Sequence, residues 1–419
     1  MPLLPANRRR YFMDPCSSQP NAAPASQRIL SVDALRGFDM FWIIGGGGIA
    51  TAILKLCIPA GNDIESSGAT VAGSLLRQFN HVPWEGFVFE DLIFPLFVFM
   101  VGMSTVFSLT KTLAQHGKKA AYWRLGRRTV ALFLLGIFYY GGLANKWPDI
   151  RLLGVLQRIA LCYFFTGVVF IHCRLRGILI TLAALLIGYW ALLSFVPLPG
   201  AGKISFAAGE NWANYVDSKW LIGKRHNGTW DPEGLLSTLP AVASCLLGTL
   251  AALLLRNQKL SNATKLGYLF GLGVLLLLLG YGWGGELESL IRKLSGNPMS
   301  GEVVWGWYPF PIIKKIWTSS YVLVAGGYSF LLMGIFYALI DVWNLHRWAA
   351  PFVWIGTNAI TLYMVQILGF GGLASRLVGG NVQVAVGPAI GELLTNVVAM
   401  ALTLLLAHFL YKHKIFLRV

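Results

Sequence analysis

Residues 80–102 read NHVPWEGFVFEDLIFPLFVFMVG. From Phe87 to Gly102 the chain is an almost unbroken run of aromatic and aliphatic side chains, of the kind that buries itself in hydrocarbon. Two acids, Glu90 and Asp91, stand inside the run, and His81 stands at its mouth. A carboxylate within a bilayer costs roughly 2.5–3.5 kcal/mol on insertion scales, so it faces a cavity or a partner. A titratable base at the rim with an acid below it points to proton chemistry at a membrane surface.

Similar runs recur from end to end. Hydrophobic residues make up 56% of the 419 and charged residues only 12%, against roughly 25% charged in soluble domains. Apolar runs near the ~20 residues needed to cross a bilayer fall near 30–56, 87–110, 125–144, 152–172, 177–196, 234–255, 264–284, 317–342, 350–373 and 391–411. The expected fold is all-α, a polytopic membrane protein with about ten transmembrane helices. A cytoplasmic segment, 1–29, rich in Pro, Ser, Ala and Arg, reads as disordered and has no apolar core of a cleaved signal peptide. The transmembrane domain follows over 30–419.

The net charge of +16 does not indicate nucleic acid, because Lys and Arg gather in alternate connections as the positive-inside rule requires. One set comprises Arg8–Arg10 and Arg28, then Lys111–Arg128, Arg174 and Arg176, Arg256–Lys265, Arg347, and Lys412–Arg418. With ten spans these share one side, so both termini are expected in the cytoplasm. His81 and the loops 57–86, 197–233 and 285–316 then lie on the extracytoplasmic side. Arg292, Lys293, Lys314 and Lys315 run against this pattern. The five cysteines are scattered through or beside spans, where a thiol packs as a small apolar group, and no metal-ligand spacing is present. Gly45–Gly48 is a glycine run inside the first span, suited to a close helix approach or a break lining a cavity.

Six constellations can carry chemistry. Asp33 and Arg36 lie i, i+3 on the first span and pair on one face, as a topology anchor or a site; Asp39 lies deeper. His81 and Asp91 suit a base and its orienting carboxylate. Ten residues of uninterrupted helix would hold them about 15 Å apart, so contact requires His81 to fold back from a loop. Gln157 and Arg158 sit inside the fourth span, where an arginine binds an anion bidentately or pairs with an intramembrane acid. Trp230, Asp231, Pro232 and Glu233 read as a helix cap, with Asp231 at the N-cap and Pro232 at N1, within a polar and aromatic loop suited to carbohydrate or to an interfacial belt. Lys314 precedes Trp317–Tyr321. Asn358 and Gln366 are polar residues in the ninth span.

Taken in order, SVDALRG, H-x-x-W-x-G-x-x-x-x-D-x-x-F-P-x-F-V-F, GVLQR, DPEG, W-x-x-S-Y-V and P-F-x-x-x-G-x-N resemble the transmembrane acyltransferase family of heparan-α-glucosaminide N-acetyltransferase. The resemblance runs from about Arg28 to Phe416. It implies transfer of acetyl from cytoplasmic acetyl-CoA to the amine of a glucosamine-like glycan across the membrane, in a homodimer. The short polar start is similar to that of bacterial members and implies an inner membrane. His81, before Trp84 and Gly86, falls on the family's catalytic histidine, and Asp91 on the acid of the same motif. Asn358 or Asn80 is then the oxyanion donor. Asn80, Trp84, Trp230, Asp231 and Glu233 are expected at the acceptor, and Asp33, Arg36, Gln157, Arg158 and Lys314 at the CoA. The stretch Phe41–Ile44 departs by lacking an asparagine that the lysosomal family member has before its glycine cluster, and Gln366 stands where that member has a histidine. Two other readings fit the intramembrane charges: a transporter for a small anion or sugar, and O-acetylation of a cell-envelope polysaccharide.

Overall fold

A computed structural model of the chain describes residues 29–58, 70–200, 202–287, 289–290 and 309–416. The segment 1–28 and much of the loop 285–316, including Arg292 and Lys293, lie outside the described residues. The described chain is helical, and its only extended pairings are two isolated bridges, Glu85 with Ile313 and Arg151 with Gly223. Among the described residues, eight helices are long and apolar enough to cross a membrane, or nine when the pair Ala359–Val365 and Phe370–Val378, bent by 58°, is counted as one span. The protein is a polytopic integral membrane protein.

The first span is broken where the glycines predict. Helix α1 (Leu30–Phe41) widens into a π-helical turn at Trp42–Gly46 and resumes as α2 (Gly47–Leu56). Gly45 sits at φ 142°, a conformation that a side chain resists. A short helix, α3 (Val71–Gln78), precedes the site loop, with Thr70 Oγ1 accepting from the Gly73 N–H at 3.0 Å.

The second and third predicted spans differ from expectation. Lys111–Arg128 is not a loop: helical structure runs through it as α4 (Phe89–Tyr139), 51 residues long. At 1.5 Å per residue that is about 77 Å, more than twice a ~30 Å hydrocarbon core. The run breaks at Gly117, at φ 73° and ψ −175°, which divides it into two spans and brings the count to nine or ten.

Four spans and one short helix follow: α5 (Val155–His172), α6 (Leu175–Phe195), the short α7 (Trp212–Trp220), α8 (Thr238–Arg256) and α9 (Asn262–Gly284). Next come α10 (Ser319–Phe336, with a π-helical extension to Val342), α11 (Ala350–Thr357), α12 (Ala359–Val365), α13 (Phe370–Val378), α14 (Asn381–Val386) and α15 (Pro388–Lys412). The ninth predicted span, 350–373, is therefore not one helix. It breaks at Asn358, at φ −127° and ψ 30°.

Burial orders the spans into layers. The most apolar windows of α4, α8 and α10 are 78%, 78% and 72% buried, while those of α6, α9 and α15 are 22%, 17% and 17% buried. The first group forms the centre and the second presents its apolar side chains outward. Small residues bring the inner helices together, as membrane packing requires. A Cβ on Gly102 of α4 would overlap the Cys245 carbonyl of α8, and one on Gly248 of α8 would overlap the Phe99 carbonyl of α4.

Candidate active site at the His81 end of the bundle

Residues 80–88 leave the helical register, which changes the expected geometry. Pro83 biases Val82 away from helix, Gly86 takes φ 118°, and Val88 is extended ahead of α4. The loop is pinned from outside. The Gly86 N–H donates to the Ile312 carbonyl at 2.9 Å, and Trp84 Nε1 donates to the Phe206 carbonyl at 2.9 Å. His81 is thereby folded back onto the first turn of α4, with Nδ1 2.9 Å from Asp91 Oδ1. The ~15 Å of a continuous helix is thus abolished, and the two residues form a dyad.

Asp91 is fully buried. Its Oδ2 also caps α4 by accepting from the Val88 N–H at 3.4 Å, and its backbone carbonyl accepts from the Tyr321 hydroxyl at 2.8 Å. Lys314 completes the cluster, with Nζ 3.2 Å from Asp91 Oδ1 and 3.1 and 3.5 Å from the two ring nitrogens of His81. Burial pushes the Lys314 ammonium down, and Asp91 opposes that shift. With the Nδ1 hydrogen donated to Asp91, the imidazole lone pair lies at Nε2, 3.5 Å from Lys314 Nζ. His81 itself remains half-exposed. The arrangement can take a proton from a nucleophile arriving at the loop face and stabilise the resulting imidazolium.

A second cluster stands beside it. Arg151 binds Asp231 through two hydrogen bonds, Nε to Oδ2 at 2.9 Å and Nη2 to Oδ1 at 2.6 Å, and reaches Glu233 Oε2 at 2.6 Å. Asp231 also accepts from the backbone N–H groups of His226 and Glu233 at 2.9 and 3.0 Å. The N-cap reading of Asp231 is corrected accordingly. It caps a series of turns, and α8 begins only at Thr238, because the arginine and the turn already consume the carboxylate. Arg151 holds the Asp231 carboxyl below its usual range, while burial pushes Glu233 up. Trp230 is buried and meets Trp84 edge-on at 5.7 Å, which ties this loop to the His81 loop.

Arg158 is fully buried. Its Nη2 donates to the Gly234 carbonyl at 3.2 Å and to Ser237 Oγ, and the guanidinium lies 5.0 Å over the Trp317 ring. It pairs with none of Asp33, Asp39 or Asp91 through a hydrogen bond among the described residues. Gln157 is buried against Gly136, and a Cβ there would overlap its amide. Asn80 is exposed and spends its amide on the Leu76 carbonyl at 2.9 Å.

Asp217 anchors the Asp231 loop from α7, accepting from the N–H groups of Asp231 at 3.3 Å and Leu235 at 2.9 Å. Burial raises its pKa from 3.8 to about 6. The folded state therefore holds this proton more tightly than the unfolded chain. Its stabilisation is complete below about pH 4 and lost as pH rises through about 6. Melting curves of detergent-solubilised protein from pH 4 to 7 are expected to show this loss, and Asp217→Asn is expected to remove that part of the slope.

The remaining sequence candidates lie elsewhere. Asp33 and Arg36 pair at 3.4 Å, and Arg36 also donates to Ser104 Oγ at 2.6 Å and the Gly356 carbonyl at 3.5 Å. Ser104 is about 20 Å along α4 from Asp91, so this pair belongs to the opposite end. Asn358 is buried, and neither it nor Asp39 has a side-chain hydrogen-bond partner among the described residues. Asn358 makes no hydrogen bond to His81. Gln366 Nε2 donates to the Ile43 carbonyl at 3.0 Å, satisfying backbone freed at the first-span break. The four described cysteines are unpaired.

Two participants escaped the sequence motifs. Arg151 lies in a loop and Asp217 on the short helix α7, neither within a repeated spacing. The signal for Arg151 was a cation in a connection that the charge pattern otherwise leaves nearly free of them.

No family model matches the chain. The human protein heparan-alpha-glucosaminide N-acetyltransferase is 27% identical over 402 residues, covering 83% of this chain. Its mouse counterpart of the same name is 27% identical over 404 residues, again covering 83% of this chain. The match spans 57% of the length of each of those proteins. By sequence, the chain is a relative of the heparan-alpha-glucosaminide N-acetyltransferase family.

Proposed function

We propose that the protein is a membrane acetyltransferase that moves acetyl from cytoplasmic acetyl-CoA to the amine of a terminal glucosamine-like sugar on the extracytoplasmic side. The observation that carries this reading is the His81–Asp91–Lys314 cluster, in which a half-exposed imidazole is oriented through Nδ1 by a buried carboxylate. His81 takes the proton that the acceptor ammonium must lose. The amine nitrogen then bonds to the thioester carbonyl carbon, the carbon–sulfur bond breaks, and the second proton of the nitrogen passes to the departing sulfur, so that CoA leaves as its thiol while His81 holds the first proton.

The acceptor sits against the loop of Trp84, Trp230, Asp231 and Glu233. The donor's nucleotide is met near Asp33 and Arg36, and its pantetheine arm runs inward past Asp39 and Asn358. The buried polar atoms of those two lack partners among the described residues, and an arm carrying amides and a hydroxyl supplies them. Lys314 moves from the CoA site to the dyad in this reading, because its ammonium is already committed to Asp91. The relatives' names support N-acetyl transfer over O-acetyl transfer or transport. The unit acts as a homodimer in a bacterial inner membrane.

Purified protein is incubated with acetyl-CoA and a panel of amino-sugar acceptors, and products are read by mass spectrometry. One acetyl on the amine is expected, together with a raised melting temperature on adding acetyl-CoA. Acetyl on hydroxyls alone overturns the N-transfer reading. No transfer and no thermal response overturns the enzyme.

A further inference from the structure

A cleft between α1, α4, α5 and α12 is walled by Met40, Ile43, Phe94, Phe97, Ile360 and Tyr363, with the first turns of α5 closing it. Its position follows from helix register. Phe94 lies three residues after Asp91, so it stands about one turn, ~5 Å, below the carboxylate that holds His81. Its ring meets Trp317 edge-on at 5.3 Å. On the far wall, the Tyr363 ring stacks on Tyr139 at 4.7 Å. Beside that pair is Tyr140, whose ring carries the Arg151 guanidinium at 4.5 Å. The cleft is therefore flanked by both polar clusters and lined by neither.

The chemistry of the wall selects its occupant. A sugar needs hydrogen-bond partners at its hydroxyls, and a phosphate needs cations or N–H groups. The lining offers no cation and, apart from Tyr363, no polar side chain. An alkyl chain is the remaining part of a thioester donor that gains by entering it. We propose that this cleft seats the alkyl end of the transferred acyl group, and that Met40, Phe94 and Ile360 set how long that chain can be. The proposal rests on the acyl-transfer reading above and adds a specificity that the reading does not contain. A fitted apolar pocket discriminates about 10–200-fold per methylene. The protein is thus a short-chain acyltransferase whose preference is written in this wall.

The test is a series of acetyl-, propionyl-, butyryl- and hexanoyl-CoA with an amino-sugar acceptor, measured as kcat/KM on full-length protein. The native protein is expected to use the acetyl donor and to fall off steeply from propionyl onward, because the cleft offers only about 20 Å³. Phe94→Ala is expected to raise the hexanoyl-to-acetyl ratio by about tenfold or more, and Ile360→Trp to lower the propionyl-to-acetyl ratio by a similar factor. Met40→Ala serves as a second enlarging variant, with melting temperature as the folding control. If folded variants keep acetyl turnover but leave every ratio unchanged, the cleft does not hold the acyl group, while the transfer reading stands. If the native protein transfers no acyl group from any donor, both fall together.

Discussion

His81→Ala is expected to lower the turnover of acetyl transfer by about 10²–10⁴-fold, the range that a positioned general base contributes. The imidazole is the half-exposed titratable group of the cluster, and its orientation is fixed through Nδ1 by a fully buried carboxylate. Acetyl-CoA is expected to raise the melting temperature of His81→Ala as it does that of the native protein, because the assigned donor contacts lie at and below Asp39 and Asn358. Asp91→Asn should lose nearly as much turnover. An amide can accept from Nδ1–H, but it no longer stabilises the imidazolium or the Lys314 ammonium. Lys314→Met separates the roles of the two neighbours. If the lysine only neutralises Asp91, the loss is modest and Lys314→Arg restores it. The measurement is steady-state kinetics on detergent-solubilised protein, with the pH profile recorded for each variant. Near-native turnover in folded His81→Ala would remove the catalytic assignment.

The second large effect is on stability. Arg151→Met is expected to cost about 3–5 kcal/mol, the loss found when one partner of a buried ion pair is removed. Asp231 has no exposed side-chain surface, and Arg151 only 10%, so water does little to screen the charge left behind. Asp231→Leu combined with Arg151→Met should recover part of the loss, since apolar groups of similar volume remove both charges together. The readout is thermal unfolding of the native protein, the two single variants and the double variant. If Arg151→Met unfolds at the native temperature, the cluster does not hold the loop. The active-site consequence is separable. Trp230 precedes Asp231 and meets Trp84 of the His81 loop, so a surviving Arg151→Met protein is expected to show a raised KM for the acceptor with smaller loss in kcat.

Much of this architecture was legible in the residues. The spans are local features, since each rests on the composition of about 20 consecutive residues. The break at Gly45 follows from backbone conformations that glycine permits, whereas the break at Asn358 divides a run expected as one span. His81 and Asp91 stood out because titratable groups are rare at the edge of an apolar run. The partners they take were another matter. The division of α4 at Gly117 was expected as a loop because six basic residues cluster there, yet the basic residues continue the helix and the backbone of a single residue makes the break.

The sequence by itself determined a polytopic all-α membrane protein, the order of its motifs and the residues able to move a proton. Only the tertiary structure decided that His81 touches Asp91, that Lys314 joins them from 233 residues beyond His81, and that Arg151 holds Asp231 across 80 residues. The physical reason is one of range. Hydrophobic runs and helix breakers act over a few turns of chain, whereas the site is closed by hydrogen bonds between loops that meet only after the spans have packed.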